Sequence, residues 1–250
     1  TNICLRPVTA LQFYKLNMLS NDGKCKHMDA SADGYARAEA CSVIFLQKKS
    51  DAKRIYATVL HTKSNTDGYK KEGITFPSRE AQGTLMKEVL EEANVDPNEV
   101  SYIEAHGTGT KIGDPIEVGA ITDVYCNNRK EPLLIGSVKS NLGHTEPASG
   151  ICSIAKLLIA FENKCLPANL HCVNLNPDIP ALHNGQVKPI LENTMYQGGT
   201  AAINCFGFGG VNVHALLRSN NKEFNEDSMK VITEIPRIVA VNGRTESSVN

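Results

Sequence analysis

The sequence predicts an α/β layered fold, because strand-like apolar runs alternate with helix-like segments along the chain. Two further observations agree with this class. Hydrophobic residues make up 41% of the 250 residues, which suits a packed core rather than a disordered chain. Three glycine-rich turns each follow an apolar run directly. Since functional residues of α/β proteins often stand where strands end, these turns are the first candidates for a site.

The first 50 residues predict a short helix, a loop and a strand. An irregular lead-in precedes the helix, which we expect around VTALQFYKL. The next stretch, CKHMDASADGYARAEA, is polar and turn-rich and indicates a surface loop. The run ACSVIFLQKK is apolar and ends in charge, so it predicts a strand.

A second strand and a well-marked helix follow. The strand is predicted by RIYATVLHTKSNT, which is β-branched and alternating. Ser78 is a suitable N-cap for the helix, and Glu80 lies in its first turn. One apolar face is formed by residues that recur every four positions, namely Ala81, Leu85, Val89 and Ala93. Asp96 and Pro97 are expected to end the helix.

The run VSYIEAH predicts a buried strand that ends at His106. A helix should begin a few residues later, with Asp114 as its cap and Pro115 at the first helical position. Glu117 stands three residues after the cap. This spacing predicts a capping box, in which both acids serve the helix start.

The second half continues the alternation. PLLIGSVKSNLGH predicts a strand running into a turn at Gly143 and His144, and SGICSIAKLLIAFENK predicts a helix that is apolar on most sides and therefore buried. TAAINCFGFGGVNVHALLRS indicates two β runs joined by a glycine-rich turn. Residues 219–230 are charged and predict a linker, after which IPRIVAVNGRTESSVN starts another apolar strand.

Composition argues against several classes of partner. The net charge is −1, so nothing favours nucleic acid or an anionic membrane as an electrostatic partner. The longest apolar stretch has 11 residues and contains Lys156, which is too short and too interrupted to cross a bilayer. The eight cysteines form no CxxC pair and have mostly apolar neighbours. We expect reduced, mostly buried thiols in a cytoplasmic protein, with no metal site.

The stretch EAHGTGTKIGDP allows several interpretations at first. A phosphate loop is disfavoured because Gly113 is followed by Asp114, whose charge would repel phosphate. Its glycines are spaced one residue too widely for GxGxxG, and HExxH is absent. Taken alone, His106 could equally be a hydrogen-bonded structural histidine.

Three stretches in order remove much of this ambiguity: EAHGTGTKIGDPIE, GSVKSNLGHTEPASG and INCFGFGGVNVHALL. Together they resemble the β-ketoacyl synthase family of the thiolase superfamily. The motif HTEPASG and the stretch from LRPVTALQFYKL to ARAEA look most like the synthase domain of an animal-type, type I fatty acid synthase. The resemblance covers about residues 1–218 and implies mainly the C-terminal half of a thiolase-like αβαβα fold.

The resemblance implies a decarboxylative condensation of malonyl-carrier protein with an acyl group held on a cysteine. His106 and His144 match the family's two active-site histidines, which would stabilise the enolate. Lys139 matches the active-site lysine, which would tune the site electrostatically. These three residues are the expected catalytic set.

The resemblance also implies substrate contacts. Thr108 and Thr110 match threonines that hydrogen-bond the phosphopantetheine arm of the carrier, although both hydroxyls could simply stabilise the turn. Phe208 matches a residue that gates the acyl channel, and its N–H would serve an oxyanion hole. A core aromatic in a hairpin is the alternative for Phe208. Phe206 and Gly209 are expected to bind substrate beside it.

The match departs from the family at the nucleophile. Cys41 lies in EACSV, which leads into an apolar run rather than a helix of small residues, so we do not assign it as the nucleophile. We expect that cysteine upstream of Thr1, and therefore expect these 250 residues alone to be inactive in condensation. Ser153 stands where many bacterial members have a glutamate paired with the lysine.

The expected organisation has three parts. Residues 1–49 would end the N-terminal half of the ketosynthase, residues 50–218 would form its C-terminal half, and residues 219–250 would be a linker with the start of the next domain. The implied partners are an acyl carrier protein domain, malonyl and acyl thioesters and a second copy in a homodimer, with no cofactor bound by the domain itself. The alternatives are a reducing polyketide synthase and a non-catalytic partner with the same fold; a degradative thiolase would not need both histidine motifs.

Overall fold

A computed structural model describes residues 1–220 and places a six-stranded mixed sheet at the centre of the chain. In order across the sheet, the strands are β1 (Ala57–Thr66), β8 (Val211–Ser219), β7 (Thr200–Phe206), β2 (Val100–Glu104), β3 (Leu133–Gly136) and β5 (Val187–Pro189). The four strands from β7 to β5 are parallel, whereas β8 runs antiparallel to β7 and β1. The carboxyl ends of β7, β2 and β3 therefore meet at one edge of the sheet.

Helices cover both faces of this sheet. Within residues 1–220 the helices are α1 (Pro7–Lys15), α2 (Arg79–Ala93), α3 (Gly113–Tyr125), α4 (Lys139–Leu142), α5 (Ser149–Asn163) and α6 (Pro180–His183), of which α1 has no buried residue. A separate two-stranded ribbon joins β4 (Cys165–Leu166) to β6 (Thr194–Met195). The core containing α2 and α3 includes Ile103 of β2, and the core containing α5 includes Tyr102 of the same strand. Adjacent residues of a strand point to opposite faces. The alternation in β2 thus produces the layers that the sequence predicts.

Several local predictions are confirmed. The Ser78 hydroxyl caps α2 by accepting from the backbone N–H of Ala81 at 3.1 Å, and α2 ends at a left-handed Asn94 cap, two residues before the predicted end. The predicted helix near the N-terminus is α1, the β-branched run is β1, and β7 and β8 form the predicted antiparallel pair. These elements carry their signals in adjacent residues, which is why sequence alone defines them.

Two predictions in the first 50 residues are wrong. The run ACSVIFLQKK forms no strand, and Val43 is 88% exposed within it. The stretch predicted as a surface loop is largely buried, including His27 and Met28. Its polar groups find partners far along the chain; for example, the Asp29 carboxylate accepts hydrogen bonds from the amides of Val173 and Asn174 at 2.6 and 2.8 Å. Because these hydrogen bonds satisfy its polar groups, the loop can be buried.

The prediction for α5 also needs correction. Its buried residues, such as Leu157, lie on one face, whereas Ile159 is 60% exposed on another. Of the eight cysteines, which are all free, only Cys25, Cys126 and Cys152 are buried, so the expectation of mostly buried thiols is wrong too. No helix within residues 1–220 is long and apolar enough to cross a bilayer. The predicted linker and final strand lie outside the described residues, apart from residues 219 and 220.

Candidate active site

The site forms where three parallel strands end together. His106 follows β2, Lys139 and His144 follow β3, and Phe206 is the last residue of β7. The imidazole rings of His106 and His144 lie edge to face with 5.4 Å between their centroids. The fold therefore brings together two histidines that are 38 positions apart in the chain.

The ring of His106 is oriented by a backbone amide of the neighbouring strand. The N–H of Phe206 donates to Nδ1 of His106 at 3.3 Å. A backbone N–H can only donate, so Nδ1 must be the unprotonated acceptor and the ring proton must be on Nε2. Burial holds the pKa of His106 well below its usual range, and the charge of Lys139 lowers it further. His106 is thus a neutral imidazole with a hydrogen-bond donor at Nε2.

His144 is held by the same kind of contact. The N–H of Glu146 donates to Nδ1 of His144 at 3.1 Å, which again places the proton on Nε2. Burial is the main cause that lowers the pKa of His144 to about 3, and Lys139 adds to the effect. The edge of the Tyr35 ring packs on this imidazole, with 4.9 Å between the centroids. The site therefore presents two neutral Nε2–H donors side by side at physiological pH.

Lys139 lies at the start of α4 and is only 1% exposed. Its Nζ has no hydrogen-bond partner within residues 1–220. The Ser153 hydroxyl, at the position where the sequence departs from the bacterial pattern, is likewise buried without a partner in that part of the chain. Lys139 thus acts on the two imidazoles through its charge, and the structure gives it no carboxylate partner there.

Glu117 does not cap α3 as the sequence predicts. Its carboxylate accepts from the backbone N–H groups of His106 and Gly107 at 2.7 and 2.8 Å, and from the Asn204 side chain at 2.9 Å. Burial raises the pKa of Glu117, which those three donors oppose. The acid therefore fixes the backbone of the His106 turn instead of the helix start.

Asp114 has a parallel role, and its prediction as a helix cap is also wrong. The helix begins at Gly113, after Ile112, which makes no side-chain cap. The Asp114 carboxylate instead accepts from the amides of Gly109 and Met28 at 3.1 and 2.9 Å and lies 3.0 Å from Nδ1 of His27. It joins the glycine-rich turn to the buried loop. Local spacing pointed to a capping box because it cannot reveal these distant partners.

A buried ion pair lies beneath the two turns. Glu104, the last residue of β2, forms a salt bridge of 2.6 Å with Lys156 of α5 and accepts from the Tyr102 hydroxyl at 2.8 Å. Its other oxygen accepts from the N–H of Val138, which immediately precedes Lys139. One carboxylate thus ties the end of β2 to the turn after β3. No sequence signal singled out this residue, although it begins the EAHGTGT motif.

The two threonines lie on the same turn but differ in exposure and partners. Thr108 is 8% exposed, and its hydroxyl is 3.4 Å from that of Thr110. Thr110 also accepts from the N–H of Gly113 at 3.2 Å, at the start of α3. The Thr110 hydroxyl therefore stabilises the turn in this structure, and its expected contact with the carrier arm stays a prediction.

The aromatic residues of CFGFGG occupy different positions. Phe206 is 8% exposed, and its ring centroid lies 5.9 Å from that of His106. Phe208 is 55% exposed, and its ring meets the edge of Phe13, at 6.1 Å between centroids. Gly209 has open space where a side chain would point. Phe208 therefore is not a core aromatic, and Phe13 of α1 is a neighbour that the sequence did not identify.

Cys41 lies in an exposed irregular segment rather than at the start of a helix. No cluster of metal-ligating side chains occurs among residues 1–220. The arrangement thus offers hydrogen-bond donors and a buried positive charge, the features that stabilise a developing anion. Fold and site define an α/β protein with two neighbouring neutral histidines and a buried lysine at its strand ends.

Comparisons with known proteins agree with this definition. Residues 1–52 match the family model for the β-ketoacyl synthase N-terminal domain, residues 56–173 match the C-terminal domain, and residues 176–250 match the ketoacyl-synthetase C-terminal extension. A fatty acid synthase from the goose Anser anser anser is 53% identical over 162 residues, which cover 65% of this chain and 46% of that protein. A highly reducing polyketide synthase from Glarea lozoyensis is 42% identical over 226 residues, or 88% of this chain and 9% of that one.

Solved structures give the same result. The oxazolomycin ketosynthase domain OzmH KS7 of Streptomyces albus superposes with a TM-score of 0.80 at 33% identity, covering 88% of this chain and 40% of that domain. The ketosynthase from module 6 of the Bacillus subtilis bacillaene synthase also gives 0.80, at 28% identity, with 93% and 44% covered. The chain thus spans less than half the length of each of these relatives. It belongs to the β-ketoacyl synthase family, with the thiolase-like fold of ketosynthase domains.

Proposed function

We propose that this chain carries the enolate-stabilising part of a 3-oxoacyl-[acyl-carrier-protein] synthase. The observation that supports this most is the pair of neutral imidazoles, 5.4 Å apart between ring centroids, whose Nδ1 atoms each accept from a backbone N–H and so leave Nε2–H as the donor. Loss of CO2 from malonyl creates a thioester enolate, and its negative oxygen needs such donors more than the ground state does. Neutral donors suit this task because they need no proton transfer from solvent.

In the proposed reaction, the bond between the malonyl α-carbon and its carboxylate breaks and CO2 leaves. The electron pair forms the enolate, whose oxygen accepts hydrogen bonds from Nε2 of His106 and His144. The α-carbon then attacks the acyl thioester on a cysteine, a carbon–carbon bond forms, and the cysteine thiolate leaves. We place that cysteine in a part of the ketosynthase domain outside these 250 residues, because Cys41 lies in an irregular, exposed segment and not in the first turn of a helix.

The remaining site residues take supporting roles in this proposal. Lys139 adds to the effect of burial, which lowers the pKa of both histidines, and its charge favours anionic species nearby. Thr108 and Thr110 bind the phosphopantetheine arm of the carrier protein, which delivers the substrates without a cofactor bound to the domain. Phe208, supported by Phe206 and Gly209, gates the acyl channel; its exposure leaves it room to move.

We favour a fatty acid synthase, since identity to the goose enzyme reaches 53%, against 42% for the fungal polyketide synthase. A reducing polyketide synthase uses the same residues on another acyl pool and remains the second candidate. The proposal includes a cytoplasmic homodimer that works with an acyl carrier protein domain. It retains the divisions at residues 1–49, 50–218 and 219–250.

Two measurements on the full-length protein that carries this chain test the proposal. The protein is incubated first with a radiolabelled saturated acyl thioester and then with labelled malonyl-carrier protein, and both bound label and released CO2 are counted. We expect acylation of a cysteine, CO2 release and a 3-oxoacyl product. Decarboxylation without acylation would identify a ketosynthase-fold partner that does not itself catalyse condensation. Absence of both activities would overturn the proposal. When a reduced nicotinamide cofactor is added as hydride donor, a full cycle that yields only saturated chains would support fatty acid synthesis, whereas partly reduced chains would favour a polyketide synthase.

A further inference from the structure

The contact that orients His144 depends on one residue in an unusual backbone conformation. Glu146 supplies the N–H that donates to Nδ1 of His144, and its φ is +45°. Residues other than glycine rarely adopt such a value, because it brings their Cβ atom close to the backbone, so the conformation is strained. The surrounding structure must therefore hold Glu146 in place for the amide to reach the imidazole.

A bidentate ion pair supplies that restraint. Nε and Nη2 of Arg37 donate to the two carboxylate oxygens of Glu146 at 2.6 and 2.9 Å. Both side chains are mostly buried, at 13% and 16% exposure, so the pair is screened less than one on the open surface. The guanidinium also lies over the ring of Phe13, 5.6 Å from its centroid. The paired hydrogen bonds fix direction as well as distance.

The backbone around Arg37 holds the histidine itself. The N–H of His144 donates to the carbonyl of Ala36 at 2.7 Å, and the N–H of Ala38 donates to the carbonyl of His144 at 2.9 Å. Arg37 and His144 thus form a parallel β-bridge. The segment 36–38 therefore contacts the His144 turn through its backbone, and Arg37 reaches past His144 to Glu146.

We propose that Arg37 and Glu146 are positioning residues, whose ion pair holds the Glu146 amide against Nδ1 and so keeps the Nε2–H of His144 aimed at the substrate oxygen. This inference rests on the proposed function. Without the ion pair, Glu146 relaxes to an ordinary φ and its amide turns away. The imidazole then exchanges tautomers and orientations, and one enolate donor is lost for part of the time.

The test compares Arg37→Met with Arg79→Met in the full-length protein. Arg79 forms an equivalent bidentate pair with Asp123 at 2.7 and 2.8 Å, but on the exposed surface. For Arg37→Met we expect kcat for malonyl decarboxylation to fall on the order of tenfold to a hundredfold, with KM changed less than about threefold. The reason is that a misoriented His144 stabilises the transition state less but binds the substrate almost as well. Arg37→Lys, which keeps the charge, should recover part of the loss. Arg79→Met should match the wild type.

A second pair of variants separates positioning from simple stability. Glu146→Ala removes the ion pair and keeps the backbone strain, whereas Glu146→Gly removes both, since glycine adopts positive φ freely. We expect kcat to fall more in Glu146→Ala than in Glu146→Gly, with acyl loading of the cysteine normal in both. Equal kcat in Arg37→Met and Arg79→Met would overturn the inference, as would a loss confined to KM or to acyl loading. Absence of decarboxylation in the wild type would instead count against the proposed function.

Discussion

The His106 turn and the His144 turn present the same donor atom but are held by different means. Two buried carboxylates, from Asp114 and Glu117, fix the backbone of the first turn. A partly buried ion pair and a β-bridge from a segment over 100 positions away hold the second. The first turn is thus held by fully buried groups, whereas the second depends on an ion pair that is partly exposed to solvent. We therefore expect changes to the residues that support the first turn to affect folding, and changes to those that support the second to affect turnover.

Removal of the Glu117 carboxylate should have the largest effect. Glu117→Ala leaves two backbone N–H groups and the Asn204 amide buried without an acceptor, so the free energy of unfolding should fall by about 3–5 kcal/mol. Glu92→Ala is the control, because Glu92 pairs with His61 and Lys63 at the exposed surface, where solvent screens the pairs, so its effect on stability should be far smaller. Urea denaturation measures both. A loss no larger for Glu117 than for Glu92 would show that the Glu117 carboxylate does not hold the His106 turn in the core.

Alanine at the glycine of each turn should give a graded result. A Cβ at Gly107 would lie 2.7 Å from Cβ of Ser137, whereas one at Gly143 would lie 3.0 Å from Cβ of Ala38; both positions have positive φ. Gly185 also has positive φ but open space around it, so it isolates the backbone strain. We expect the free energy of unfolding, measured by urea denaturation, to fall by about 3 kcal/mol for Gly107→Ala, by less for Gly143→Ala and by about 1 kcal/mol for Gly185→Ala. Any other order would contradict the difference in packing.

The third expectation concerns pH. Folding lowers the pKa of His144 to about 3, so between about pH 6.5 and pH 3 the unfolded chain binds a proton that the folded chain does not. Stability is therefore lost as pH falls below about 6.5, by about 2 kcal/mol for this histidine between pH 7 and pH 5. Between pH 7 and pH 5, the free energy of unfolding of His144→Gln should therefore fall by about 2 kcal/mol less than that of the wild type. Unfolding free energies at the two pH values check it, and identical pH dependence in the variant would mean that His144 is not buried as a neutral ring.

The sequence pointed to His106 and His144, which the structure brings together, but not to the contacts that hold them. Ser78 was found as a cap and β2 as a buried strand because their signals are local. The roles of Asp114 and Glu117 were misassigned because the capping-box spacing is also local, whereas their partners lie on other elements. Nothing adjacent to Arg37 indicates a pair with Glu146, 109 positions away. The apolar run containing Val43 looked like a strand because pattern alone cannot reveal whether a neighbouring strand is available.

The most direct test of the paired-histidine site is the His106→Ala variant of the full-length protein. Its rates of cysteine acylation and malonyl decarboxylation are measured in parallel with those of the wild type. We expect acylation at the normal rate and decarboxylation reduced on the order of a hundredfold to a thousandfold, because one of two enolate donors is lost. Decarboxylation at the wild-type rate would contradict the assignment of His106.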